Sequence, residues 1–174
     1  IKEEAKNVVK IVGGKQFLDF EATEGIFKNV ASEYDILHLA MHTIIDDENP
    51  MYSKMAFTQK KDSLEDGLLN TYEIYNMKLN CRMSVLSSCN SGSGKLHRGE
   101  AVISLARGFI YAGCPSIIMT LWSVEDKSGV DLMTNFYTHL KTGQNKAQAL
   151  RQAKLNIFIA TKMIISLVLA FIFL

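Results

Sequence analysis

Residues 34–42 read YDILHLAMH, an almost unbroken apolar run followed by the acidic, polar stretch TIIDDENPMY over 43–52. A short run of this kind fits a strand buried on both faces, as in a parallel sheet covered by helices, rather than the alternation of a sheet with one wet face. It is expected to be a central strand with His42 at its end. Residues 81–88, CRMSVLSS, and 115–122, PSIIMTLW, have the same character.

Helical patterns lie between and around these runs. EAVISLARGFIYAG (100–113) sets its apolar residues on one face and closes on Gly113 as C-cap, with Pro115 just beyond. SGVDLMTNFYTHLKTG (128–143) reads as a helix ending at Gly143, and NKAQALRQAKLNIF (145–158) opens another with Asn145 as its cap. Upstream, EATEGIFKNVASE (21–33) is helical, KQFLDF (15–20) is a short strand candidate, and IKEEAKNVVKIVGG (1–14) is an amphipathic helix closed by Gly13 and Gly14. A start at Ile1 suggests a piece of a longer chain.

The region between the first two strands is a loop over 43–52, a short strand over 53–59 (SKMAFTQ), a polar turn over 60–67, and a short helix over 70–79. There Asn70 and Glu73 have the spacing of a capping box. Strands alternating with helices predict an α/β domain of three layers around a mainly parallel sheet. No internal repeat or low-complexity segment competes with that reading.

At 174 residues the chain suits one domain. The formal net charge of +1, with both signs interspersed, offers no basic stripe, so nucleic acid is not an expected direct partner. Three cysteines without framework spacing, and no signal-like opening, point to a reducing, cytoplasmic setting.

Open parallel sheets gather chemistry beyond the carboxyl ends of their strands. His42 and Cys89 both end expected strands, so neighbouring strands would send both side chains into one crevice. A thiol needs a base or a positive field to act as a nucleophile near neutral pH, and an imidazole supplies one. The glycines and serines of NSGSG (90–94), Gly92 among them, suit close approach by a substrate backbone and oxyanion donors. The plainer alternative is a buried cysteine and a hydrogen-bonded strand-end histidine. Cys81 and Cys114 read as packing residues.

YDILHLAMHT, DGLLNTYEIYNMKL, VLSSCNSGSGKLHRGEAVISLARGFIYAGCPSIIMTLWSVEDK and FYTHLKTGQNKAQALRQAKL occur here in the order that marks the CHAT domain, and the resemblance runs from about Tyr34 to Leu155. CHAT domains are caspase-like cysteine peptidases often attached to tetratricopeptide repeats. The resemblance implies a caspase-like fold over residues 1–156 and hydrolysis of protein or peptide substrates through a thioester. Cys89 would be the nucleophile and His42 the general acid and base. No cofactor or metal is implied, and repeats in the same or a partner chain would regulate the domain.

The family implies an oxyanion hole from the backbone N–H groups of Cys89 and of the residue after His42. That residue is commonly glycine and here is Thr43, a β-branched side chain that would be strained at positive φ. A catalytically silent protein-binding module is the alternative this substitution raises. Glu100, Trp122, Glu125 and Asp126 fall in further family blocks as substrate-binding candidates. Asp126, and the carboxylates with it, have the competing role of capping a helix, and Asp46 with Asp47 reads as a solvated loop.

A phosphate-binding loop would need glycine and Ser or Thr where Cys89 and Leu96 stand. A zinc site from His38, His42 and a cysteine lacks any HExxH pattern. Residues 157–174 depart from the family by lacking its aromatic-rich final block. Their apolar run leaves three expectations open: a membrane anchor, a buried terminal helix, or an out-of-frame end.

Overall fold

In the computed structural model the described residues are 2–60, 64–87, 99–120, 126–161 and 169–173, with backbone alone for 99–102, 126, 160, 161 and 169–173. The elements in chain order are α1 (Lys2–Val12), α2 (Glu24–Val30), β1 (Ile36–Ala40), β2 (His42–Ile44), β3 (Lys54–Ala56) and β4 (Leu68–Asn70). They continue with α3 (Thr71–Tyr75), β5 (Met83–Ser87), α4 (Gly99–Tyr111), β6 (Ser116–Thr120), α5 (Asp126–Lys141), α6 (Lys146–Thr161) and β7 (Leu169–Phe173). The expected α/β architecture with a mainly parallel sheet is the one observed. The chain divides into two compact units, Ile1–Gln16 with Val124–Val168, and Phe17–Ser123 with Leu169–Leu174.

The second unit holds both sheets. The larger has the order β1-β5-β6-β7, with β1, β5 and β6 parallel and β7 antiparallel to β6. Met83, Ser84, Val85 and Leu86 of β5, and Ser116 to Met119 of β6, are all buried. Burial on both faces is what gives these strands their continuous apolar sequence. β1 differs from expectation. It is an edge strand in which Leu37 and Leu39 are buried while Ile36, His38 and Ala40 are half-buried. Its run looks unbroken because apolar residues also occupy the less covered face.

His42 also belongs elsewhere than expected. The chain leaves β1 at Ala40, and after Met41 it enters β2 of a separate three-stranded antiparallel sheet, order β2-β3-β4. Thr43, Met55 and Leu69 lie opposite one another across the three strands and are buried. Met55 and Leu69 join Leu37, Leu39, Leu86, Phe109 and Ile117 in one core, so the inner face of the small sheet packs into the unit's interior.

Two helix boundaries were legible from sequence and set the frame. Asn70 and Glu73 form the expected capping box at α3, with Asn70 N–H donating to Glu73 Oε2 at 2.9 Å. After α4, Gly113 takes φ +111°, and a Cβ there would collide with the carbonyl oxygen of Leu79. Leu79 N–H in turn donates to Ala112 O at 2.6 Å, joining the turn before β5 to the end of α4. KQFLDF forms no strand. Asp19 has φ 50°, and its carbonyl accepts from Thr58 Oγ1 at 2.7 Å and Ala22 N–H at 3.2 Å, so the segment curls instead of pairing.

In the first unit α5 packs on both α1 and α6. Val8, Leu132, Phe136, Tyr137 and Leu150 are buried. Burial, followed by the charge of Glu4, pushes the Tyr137 phenol far above its ordinary range. Asn156 ties α6 to α5, donating from Nδ2 to Asn135 Oδ1 at 3.2 Å with His139 Nε2 at 3.1 Å. Asn145 caps α6 as expected, its Oδ1 accepting from Gln148 N–H at 2.9 Å. Helix α6 continues into the apolar tail as far as Thr161, and β7 follows. Among the described residues no helix is long and apolar enough to cross a membrane.

Candidate active site

β1 and β5 are parallel neighbours in the register Ile36↔Met83 through Ala40↔Ser87. Their carboxyl ends are therefore level, and in the sequence His42 and Cys89 each follow the last paired residue by two positions. The strand-end reading required neighbouring strands, and β1 and β5 are neighbours. Cys89 itself lies outside the described residues, as do Gly92, Trp122 and Glu125. Glu100 stands in the first turn of α4 and Asp126 opens α5, each without a described side chain.

His42 is exposed at the start of β2 and faces Ala56 across the ladder. Thr43 pairs with Met55, and among the described non-glycine residues Asp19 alone has positive φ. The strain that a β-branched residue would suffer at Thr43 is thus absent, because the position is ordinary extended strand. Thr43 turns its side chain into the core while His42 and Ile44 on either side face solvent.

The loop after β2 is built rather than merely solvated. Asp46 Oδ1 accepts from the N–H groups of Glu48 (3.1 Å) and Asn49 (2.8 Å), an Asx turn, while Asp46 N–H donates to Ser53 Oγ at 3.0 Å. Buried Ser53 also presents its carbonyl to Thr71 N–H and Thr71 Oγ1, both at 2.8 Å. One serine thereby joins the loop after β2, the start of β3 and the start of α3.

An ion cluster that sequence reading missed joins α2, the turn before β4 and α3. Lys28 Nζ lies 2.7 Å from Glu24 Oε1, 2.7 Å from Glu65 Oε2 and 2.9 Å from Glu73 Oε1. Burial alone would lower the Lys28 pKa, but hydrogen bonds to the three carboxylates more than offset this and raise it. Burial pushes the carboxyl of Glu24 up despite Lys28. For Glu73 burial acts upward too, yet the hydrogen bonds from Lys28 and Asn70 prevail and its pKa is lowered. The three carboxylates are close enough to ligate a cation, and the ammonium of Lys28 already serves as one. The visible signal was the Glu24–Lys28 pair at i, i+4; its long-range partners had none.

Cys81 and Cys114 pack as expected, both buried at the amino ends of β5 and β6, away from His42. Cys114 Sγ lies 3.3 Å from Ser84 Oγ, and Cys81 Sγ lies 3.7 Å from the same oxygen. The hydrogen bond with Cys114, together with burial, drives the Cys81 thiol far above its ordinary range, so it stays protonated and unreactive.

The sheet is mainly parallel, its first two strands end level, and a histidine follows just past one end, an α/β arrangement. The sequence profile of the CHAT domain matches residues 1–163, and the chain belongs to that family. Tetratricopeptide repeat protein 28 of Homo sapiens is 24% identical over 183 aligned residues, covering 87% of this chain and 7% of that protein. The Mus musculus protein of the same name is 22% identical over the same shares. The chain thus spans about 7% of the length of the curated relatives it matches.

Proposed function

We propose that this domain is a cysteine endopeptidase in which Cys89 and His42 form the catalytic pair. The observation that carries the proposal is the β1–β5 register, which levels Ala40 with Ser87; in the sequence His42 and Cys89 each come two residues later. In this reading His42 takes the Cys89 thiol proton as the sulfur attacks the substrate carbonyl, and passes that proton to the departing amine, leaving a thioester. His42 then takes a proton from water, whose oxygen attacks the thioester. The acid product departs and the thiol is regenerated.

The backbone N–H groups of Cys89 and Thr43 would stabilise the oxyanion. The unstrained, extended backbone at Thr43 supports that role, since an amide donor does not depend on the side chain. Gly92, Glu100, Trp122, Glu125 and Asp126 remain the proposed substrate contacts. The domain would act on protein or peptide substrates in the cytoplasm, switched by tetratricopeptide repeats of the kind named in its relatives.

The test is labelling by peptide acyloxymethyl ketones with basic, acidic or apolar residues at the cleavage position, in wild type, Cys89→Ala and His42→Ala. Labelling is expected to vanish in Cys89→Ala and to fall about a hundredfold or more in His42→Ala. Absence of labelling in wild type, with repeats supplied, would replace the enzyme by a binding module.

A further inference from the structure

The small antiparallel sheet has one face in the core and one toward solvent. On the other side the ladder sets His42, Ala56 and Leu68 in one row and Ile44, Lys54 and Asn70 in the next, with Asn70 itself buried. Directly opposed side chains on one face are neighbours about 5 Å apart, and rows two residues apart are separated by roughly 7 Å. Ala56 and Leu68 are half-buried, and Ile44 is 49% exposed. A shallow apolar shelf therefore begins at the imidazole proposed as catalytic.

Lys54 stands in the middle of the second row, between Ile44 and Asn70. Among the described residues it has no ion pair, in contrast to Lys28, which holds three carboxylates. Of the acids in the flanking loops, Asp46 Oδ1 holds its Asx turn and Asp66 Oδ1 accepts from Leu68 N–H at 2.8 Å. A half-buried lysine on an apolar shelf fits a single carboxylate, while the acidic loop beyond Ile44 disfavours a long acidic run.

We propose that the solvent face of the three-stranded sheet is the docking surface for the substrate segment beside the cut bond, and that it selects an extended stretch with one apolar and one acidic side chain. The apolar side chain rests on Ala56 and Leu68. The acidic one reaches Lys54, about two residues further along if the segment follows the strands. This rests on the peptidase reading for the identity of the occupant, and on the sheet alone for the surface.

The experiment separates the two. Peptides of one apolar-rich sequence, each with a single Asp, Lys or Ala scanned through four positions on either side of the cut bond, are measured in two ways. Cleavage is followed in the wild-type protein, and binding to the Cys89→Ala protein is followed by fluorescence anisotropy. Lys54→Glu and Leu68→Asp are compared in both backgrounds, with circular dichroism to verify folding. Asp at one position is expected to be preferred about tenfold, with the preference reversed toward Lys in Lys54→Glu. Leu68→Asp is expected to weaken the whole series.

Cleavage whose rank order ignores Lys54→Glu and Leu68→Asp overturns the docking surface and leaves the peptidase standing. Selective binding without cleavage upholds the surface and overturns the peptidase. Neither binding nor cleavage overturns both.

Discussion

The two sheets of the larger unit are built on opposite principles. In the main sheet β5 and β6 are covered on both faces, and their sequences are nearly uniform in apolar character. In the small sheet every strand is three residues long; β2 and β3 bury only their middle residue, and β4 buries Leu69 and Asn70. The first arrangement fixes where strand ends fall; the second exposes His42 and Ile44 to solvent. His42 stands at the junction, one residue beyond the break at Met41, so its position depends on both.

The strongest way to break this contrast is to hollow out each sheet in turn. Leu86→Ala in β5, where the side chain is 1% exposed, is expected to cost about 3 kcal/mol in urea denaturation. A loss below about 1 kcal/mol would mean that the main sheet is not the rigid partner.

Next in size is Lys28→Met, which removes the shared cation and leaves Glu24, 1% exposed, without it. The expected loss is about 2–3 kcal/mol, trimmed by the partial exposure of Glu65 and Glu73. The pH dependence has a definite sign. The Lys28 pKa is raised on folding, so its contribution is complete below the ordinary 10.5 and disappears as pH climbs through the higher folded value. Glu73 is lowered, so its contribution holds above its ordinary 4.5 and is lost as pH falls through the lower folded value. Glu24 is raised, so its ionised form costs stability near neutrality, and that cost is relieved as pH falls. The carboxylates oppose each other on the acid side, whereas the lysine acts alone on the alkaline side. The gap between wild type and Lys28→Met should therefore narrow above about pH 10.5; a constant gap there would dissociate the cluster from stability.

The smallest effect belongs to the exposed face. Ile44→Ser is expected to change stability by no more than about 0.5 kcal/mol by thermal melting. A larger loss would show that the outer face of the small sheet is structurally engaged and not free for docking.

The same contrast explains what sequence could disclose. β5, α4 and β6 were legible because covered strands and an amphipathic helix leave long, regular patterns, and Gly113 marks the helix end. The capping box at Asn70 and the cap at Asn145 were legible because their hydrogen bonds are local. The small sheet was only partly visible. SKMAFTQ suggested a strand, but three-residue strands carry too few alternations to reveal that His42–Ile44 and Leu68–Asn70 pair with it. The edge position of β1 was hidden because Ile36 and Ala40 are apolar on the less covered face. Of the candidate site, the level strand ends follow from the order of elements, whereas the shelf beside His42 depends on antiparallel register that no local pattern encodes.

Gly113 carries a consequence for variation among related chains. The volume a side chain would need is filled by the carbonyl oxygen of Leu79, and the backbone there is left-handed as well. Two independent prohibitions leave this position an alphabet of one letter. A relative that spells it otherwise must also have rewritten the turn leading into β5, so a change there signals an altered path for the strand that ends just before Cys89.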